Sequence, residues 1–272
     1  MNHLESPDGT RIAYTVAGEG PPVVLVGGGL DDGSENAPLA QVLARWFTVL
    51  NYTRRGRGES SDTLPYSRER EIEDLAAVIA VTGGPAHVFG ASSGGALALE
   101  AVASGLPVTS LAVYEVPYMA DETMVQVWSQ YVDQLVAALS EGRRGDAVEL
   151  FMGLAGSSPD DIAAARESPV WLDLVTLAPT LAYDAACIGD GPVPAARLAS
   201  VTQPVLVATG GVPDPHMGGL QPGFFDAAAD LLAAALPASE RQVIANQTHV
   251  ADPEVLGPVL HKFFSNRTGH RC

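Results

Sequence analysis

The stretch Gly90-Ala91-Ser92-Ser93-Gly94 sets a hydroxyl between glycines two residues before it and two after it. Such spacing fits a turn from strand to helix so tight that neither flank tolerates bulk, with the serine raised at its tip. His87-Val88-Phe89 reads as the strand before it, and the alanine-rich residues 96–103 read as the helix after it. Ser93 is a rival nucleophile, but the glycine spacing selects Ser92. A serine hydroxyl attacks at neutral pH only when a base takes its proton. His249, in Asn246-Gln247-Thr248-His249, lies between the last strand pattern and the last helix pattern, where a loop would return to the carboxyl edge of a sheet. His3, His261 and His270 fall near the termini or on the final helix, His87 opens a strand, and His216 follows Pro215.

A carboxylate must fix the histidine tautomer and stabilise its protonated form. Glu115 directly follows the apolar run Leu111-Ala112-Val113-Tyr114, and Asp214 stands in Pro213-Asp214-Pro215 beyond a later strand. Glu115 is preferred, because Asp214 also reads as ordinary turn chemistry. Acyl transfer further needs donors for an oxyanion. The Ser93 amide at the start of a helix and the Gly29 amide in Val26-Gly27-Gly28-Gly29-Leu30 are the candidates. That glycine run lacks the spacing of a dinucleotide-binding loop. The arginines of Asn51-Tyr52-Thr53-Arg54-Arg55-Gly56-Arg57-Gly58-Glu59-Ser60 could meet an anionic substrate, but pairing with nearby carboxylates to brace the loop is the preferred reading. Cys187 and Cys272 have no redox or metal spacing around them, and neither is expected to be catalytic. No metal or organic cofactor is implied.

The elements that would position these groups alternate. Residues 11–16 alternate in polarity as a strand with one wet face, whereas 23–26 form a short continuous apolar run typical of a strand buried on both sides. Further strands are expected at 47–50, 87–89, 108–114, 204–208 and 241–245, with helices around 39–46, 72–79, 96–103, 224–236 and 255–263. Strand and helix alternation implies right-handed crossovers and a mostly parallel, doubly wound α/β sheet. Between about 120 and 199 no strand pattern appears. Helical spacings such as Val125, Trp128, Val132, Leu135 and Leu139 are broken there by glycine and proline. The expected organisation is therefore a core of residues 1–118 and 200–272, with a helical cap at 119–199. Trp128, Met152, Trp171 and Tyr183 would roof an apolar pocket, although each also reads as packing within the cap.

Hydrophobic residues are 47% and charged residues 17% of the 272-residue chain, enough for a sizeable core and unlike a disordered segment. Lys plus Arg number 15 against 32 Asp plus Glu, a net charge of −17 that repels nucleic acid and anionic membranes. No run approaches the roughly 20 apolar residues a membrane helix requires. The first residues lack a basic region followed by an apolar run, so a cytoplasmic location is expected. The expected partner is a small apolar molecule, with a homodimer as one option for assembly.

These motifs together resemble the α/β-hydrolase superfamily over nearly the whole chain. The elbow and the late histidine match without alteration. Gly27 stands where the family usually has histidine, and Thr53 stands where its Tyr-Asp-x-Arg-Gly-x-Gly-x-Ser loop has aspartate. At a finer level, Ser92-Ser93-Gly94, Gly29-Leu30 and Glu115-Val116-Pro117 resemble lactone hydrolases that open resorcylic macrolactones such as zearalenone, which take their acid from the strand after the elbow. This implies hydrolysis of a carboxylic ester or lactone through an acyl-enzyme, with Leu30 beside the substrate. The same fold and triad also serve lyases, C–C bond hydrolases and cofactor-free cyclases, and a ligand-binding protein could retain the triad. Epoxide hydrolases and haloalkane dehalogenases place aspartate at the elbow, against which Ser92 argues.

Overall fold

A computed structural model describes residues 1–268, so His270 and Cys272 lie outside the described residues. The chain runs β1 (Asn2–Glu5), β2 (Arg11–Ala17), β3 (Pro22–Val26), α1 (Ala37–Leu43), β4 (Thr48–Tyr52), α2 (Arg68–Val81), β5 (Ala86–Ala91), α3 (Ser92–Ala103) and β6 (Val108–Tyr114). Helices α4 (Glu122–Ser140), α5 (Arg144–Leu154), α6 (Pro159–Arg166), α7 (Trp171–Leu177), α8 (Leu181–Ile188) and α9 (Ala195–Leu198) follow. The sheet resumes with β7 (Val205–Gly210), then α10 (Phe224–Ala235), β8 (Ser239–Ile244) and α11 (Pro253–Thr268).

All strands form one 8-stranded sheet in the order β1-β2-β4-β3-β5-β6-β7-β8. From β4 through β8 every neighbouring pair is parallel, and only β1/β2 and β2/β4 are antiparallel. The expected α/β fold with a mostly parallel sheet is what forms. β1 is absent from the sequence reading because it is a short, largely exposed edge strand with no apolar alternation to betray it.

Strand periodicity explains the layers, since successive side chains point to opposite faces. Val24, Val26, Val88, Val113 and Val207 face the side covered by α2, α3 and α10. Val23, Leu25, Phe89, Ala112 and Ala208 face the side covered by α1 and α11. Both faces are buried, which is why these strands read as unbroken apolar runs.

Helices α4 to α9 lie between β6 and β7, with no strand among them in the described residues. The insertion begins where Asp121 caps α4, accepting a hydrogen bond from the Met124 amide at 2.8 Å. α8 packs on α3, and Trp128, Tyr131 and Leu135 of α4 join the same core as α3. The inserted helices therefore rest on the face next to the elbow helix.

Candidate active site

The β5–α3 connection is as tight as its glycines predict. A Cβ on Gly90 would come within 2.6 Å of the Gly94 carbonyl oxygen, and one on Gly94 within 2.4 Å of the Gly27 carbonyl oxygen. Ser92 adopts a left-handed backbone, φ 51°, as the first residue of α3. The amide of Ser93 lies in the first turn of α3, where a backbone N–H has no intrahelical acceptor.

β6 ends beside the elbow, with Ala91 in register with Tyr114. Glu115 follows, also left-handed at φ 48° and 5% exposed. Its Oε1 accepts the Gly210 amide at 2.8 Å, and its Oε2 lies 2.7 Å from His249 Nδ1. The Tyr114 hydroxyl donates to the Thr248 carbonyl, pinning the histidine loop to β6. Phe225 stacks on the imidazole with ring centroids 4.8 Å apart. Asp214, the other candidate acid, instead accepts from the His216 amide at 2.9 Å and caps a short 3-10 turn. Ser92 and His249 border the same cavities, but no direct hydrogen bond joins them among the described residues.

Gly29, Ser92, Ser93 and His249 line a cavity of about 340 Å³. Its remaining wall is mostly apolar, with Met119, Trp128, Phe151, Leu181 and Phe224 prominent. Of the side chains expected to contact a substrate, Trp128 is present, its indole N–H held by the Gly189 carbonyl at 2.8 Å. Leu30, Met152, Trp171 and Tyr183 are not among the lining residues. Leu30 and Met152 turn onto the hydrophobic core, and Trp171 packs within the insertion beside Gly145. Tyr183 stacks on Tyr66 at 3.7 Å and donates to Asp62 at 2.6 Å, joining the insertion to the core. Phe151 and Tyr131, absent from the sequence reading, take up cavity positions. Helical spacing marks both as apolar-face residues but not which part of that face overlies a void.

The arginine loop braces the site and carries no free cation. Arg54, Arg55 and Arg57 are each at most 2% exposed. Arg55 forks onto Asp74 at 2.7 and 2.8 Å and reaches Asp8 at 2.9 Å. Hydrogen bonds from Arg55 and Thr10 outweigh the burial penalty on Asp8 and lower its carboxyl to about 2. Arg54 forks onto Glu71, both bonds 2.7 Å, and its Nη1 donates to Asp184 Oδ1 at 2.7 Å and to the Gly27 carbonyl at 3.3 Å. Arg57 donates to the same Asp184 oxygen at 2.8 Å and to the Gly28 carbonyl. Because a peptide is planar and trans, fixing the Gly28 carbonyl turns the Gly29 N–H away from Arg57. The Ser93 hydroxyl donates to Asp184 Oδ1 at 2.7 Å. Burial by itself would raise the Asp184 pKa, but Arg57, Arg54 and Ser93 outweigh it and hold the carboxyl below its usual range. Thr53, in the aspartate position of the loop, donates its hydroxyl to the Asp32 carbonyl at 3.4 Å.

Asp184 escaped the sequence reading. Its signal is faint, a lone acid in the apolar helix Leu181-Ala182-Tyr183-Asp184-Ala185-Ala186-Cys187-Ile188, bonded to an arginine 130 residues away. Cys187 on the same helix is buried, and desolvation, reinforced by Glu71, raises its thiol to about 12, so it is a poor nucleophile.

The Alpha/beta hydrolase family profile matches residues 23–256, from β3 into α11. The chain belongs to the alpha/beta hydrolase family. An alpha/beta hydrolase from Sphaerobacter thermophilus DSM 20745 superposes with a TM-score of 0.85 at 46% identity, covering 97% of this chain and 100% of that one. The enol-lactonase of Burkholderia xenovorans LB400 superposes at 0.67 with 21% identity, covering 98% and 99%, a likeness of fold alone. Among curated proteins, the "Uncharacterized hydrolase YraK" of Bacillus subtilis (strain 168) is 38% identical over 96 residues, 34% of this chain and 35% of that protein. The alignment thus spans about a third of the length of the curated relatives it matches.

Proposed function

We propose that this alpha/beta hydrolase cleaves carboxylic esters or lactones through an acyl-enzyme on Ser92. The observation that carries the reading is the 2.7 Å contact of Glu115 Oε2 with His249 Nδ1, in a cavity whose wall includes Ser92. A carboxylate on Nδ1 places the proton there and leaves Nε2 as the lone-pair face of the ring. Once substrate draws Ser92 and His249 together, Nε2 takes the hydroxyl proton as Oγ attacks the carbonyl carbon. Contacts of this kind commonly tighten only in the substrate complex. The developing oxyanion is held by the amides of Ser93 and Gly29. The imidazolium returns its proton to the leaving alcohol, and water, deprotonated by the same ring, then releases the acid.

The apolar wall and the size of the cavity suit a compact uncharged acyl group. Helices α4 to α9 act as its cap, with α4, α5 and α8 supplying Trp128, Phe151 and Leu181. An esterase from Thermogutta terrifontis and the enol-lactonase share the fold, which is compatible with either ester or lactone but selects neither. The finer likeness to resorcylic lactone hydrolases rests on Ser92-Ser93-Gly94, Gly29-Leu30 and Glu115-Val116-Pro117. Ser92→Ala should abolish p-nitrophenyl butyrate hydrolysis and the fluorophosphonate labelling that the wild-type serine should show. Retention of full turnover in the purified alanine variant would refute the mechanism.

A further inference from the structure

Asp184 is used on one side only. Its Oδ1 receives Arg54, Arg57 and Ser93, whereas Oδ2 is buried with no hydrogen-bond partner. The residue is 5% exposed and lines the cavity. Oδ2 lies beside the oxyanion region, since a Cβ on Gly29 would come within 3.4 Å of it. Apart from His249, Asp184 is the only ionisable acid or base among the cavity-lining residues, setting Tyr131 aside as a phenol. An ionised carboxylate is an acceptor and nothing else. A buried acceptor left without a donor is unfavourable, and native proteins leave few of them.

We propose that Asp184 Oδ2 is a substrate-recognition point that accepts a hydrogen bond from a hydroxyl or amino group carried on the acyl side, one or two carbons from the scissile carbonyl. The proposal rests on the ester or lactone reading above, because the position of the carbonyl is set by Ser92 and Gly29. With the carbonyl oxygen at the Gly29 amide, the neighbouring carbons of the acyl chain are the part of the substrate within reach of Oδ2. The arginines do not face an acyl substituent: neither Arg54 nor Arg57 lines the cavity, their terminal nitrogens are committed to Glu71, Asp184 and the glycine carbonyls, and Arg57 Nε, which has no partner, is buried. An acyl group with a second carboxylate would meet Asp184 with like charge. The favoured substrates are therefore hydroxyacyl or aminoacyl esters and lactones.

The test uses p-nitrophenyl butyrate, 3-hydroxybutyrate and 3-methoxybutyrate, with each kcat/KM divided by the ester's own alkaline hydrolysis rate. Wild-type enzyme should favour the hydroxy ester over both others by roughly 10- to 100-fold, the usual discrimination of a site that binds a hydroxyl through a charged acceptor. In Asp184→Asn the amide oxygen is retained by the two guanidinium groups, so the amide nitrogen replaces Oδ2 and presents a donor. The order should reverse toward the methoxy ester. Equal normalised rates for the three esters in the wild type would overturn the proposal, whatever the folding of the variant. A lowered rate in Asp184→Asn with the hydroxy preference intact would also overturn it, by showing a structural role only. If wild-type enzyme cleaves none of the esters, the ester reading itself fails and this inference falls with it.

Discussion

Glu115→Gln separates a structural glutamate from one that sets the histidine tautomer, and the Gly210 amide makes the outcome calculable. That N–H donates to Oε1 at 2.8 Å, so the glutamine must keep its carbonyl oxygen there and turn its NH₂ toward His249 Nδ1. Facing a donor, Nδ1 gives up its proton and Nε2 carries it, which disables the base. Restoring the active tautomer sets N–H against N–H in a buried site and costs about 1–3 kcal/mol. The imidazolium formed during attack also loses a charged hydrogen bond worth about 1.5–3 kcal/mol. Together these give about 2.5–6 kcal/mol, or roughly a 10²- to 10⁴-fold fall in kcat at 1.36 kcal/mol per decade. The fall should appear in the pre-steady-state acylation burst with p-nitrophenyl butyrate, while the melting temperature stays within a few degrees. Asp214→Asn, which touches only the cap of a 3-10 turn, should change kcat by less than about threefold. A Glu115→Gln enzyme within tenfold of wild type, or an Asp214→Asn enzyme slower than it, would refute the tautomer argument.

Arg54→Met should destabilise the fold by about 3–5 kcal/mol, because it leaves Glu71 buried at 1% exposure with its main counter-charge gone; a urea midpoint equal to that of the wild type would contradict this. His87 is 2% exposed against Ser110, and burial lowers its pKa from 6.5 to about 4. The unfolded chain therefore binds a proton that the folded chain resists, and stability should fall by about 3 kcal/mol as pH drops from 6.5 to 4. His87→Gln should flatten that stretch of the urea-midpoint-against-pH curve, and an unchanged slope would count against the assignment.

The central sheet and the elbow were legible because each follows from local constraint. Continuous apolar runs have no wet face, and Gly90 is demanded by its own turn, where a Cβ would meet Gly94 and Gly95, while Gly94 is demanded by Val26 and Gly27 at the end of the neighbouring strand. His249 was legible from order alone, since a loop after the last strand of a parallel sheet returns to the same edge. The choice between Glu115 and Asp214 was not local. Their strands are neighbours ending on one edge, and the Gly210 amide, the Tyr114–Thr248 contact and the Phe225 ring, all distant in sequence, decide where the imidazole rests. The cavity wall was hardest to read. Trp128 and Tyr183 are both buried aromatic residues on inserted helices, but one overlies the void and the other stacks on Tyr66, a difference set by helix rotation. The ion cluster needs partners separated by 130 residues, beyond any window of sequence pattern.

The backbone adds an independent argument for where function resides. Every non-glycine residue with positive φ among the described residues, Leu30, Ser92, Glu115 and Asn246, follows the carboxyl end of a strand, namely β3, β5, β6 and β8. The left-handed conformation costs an ordinary residue about 1–2 kcal/mol, and glycine would avoid most of it. Asn246 is the least telling, since asparagine tolerates this region. At Leu30 the side chain packs on the core just past Gly29, which gives a structural reason to retain it. At Ser92 and Glu115 glycine would relieve the backbone and remove the hydroxyl or the carboxylate. Strain confined to one sheet edge, at positions where its relief would delete a chemical group, points to selection for those groups rather than for the turn. The same reasoning ranks Glu115 above Asp214, which has an unstrained φ of −76° and a capping role sufficient to explain it.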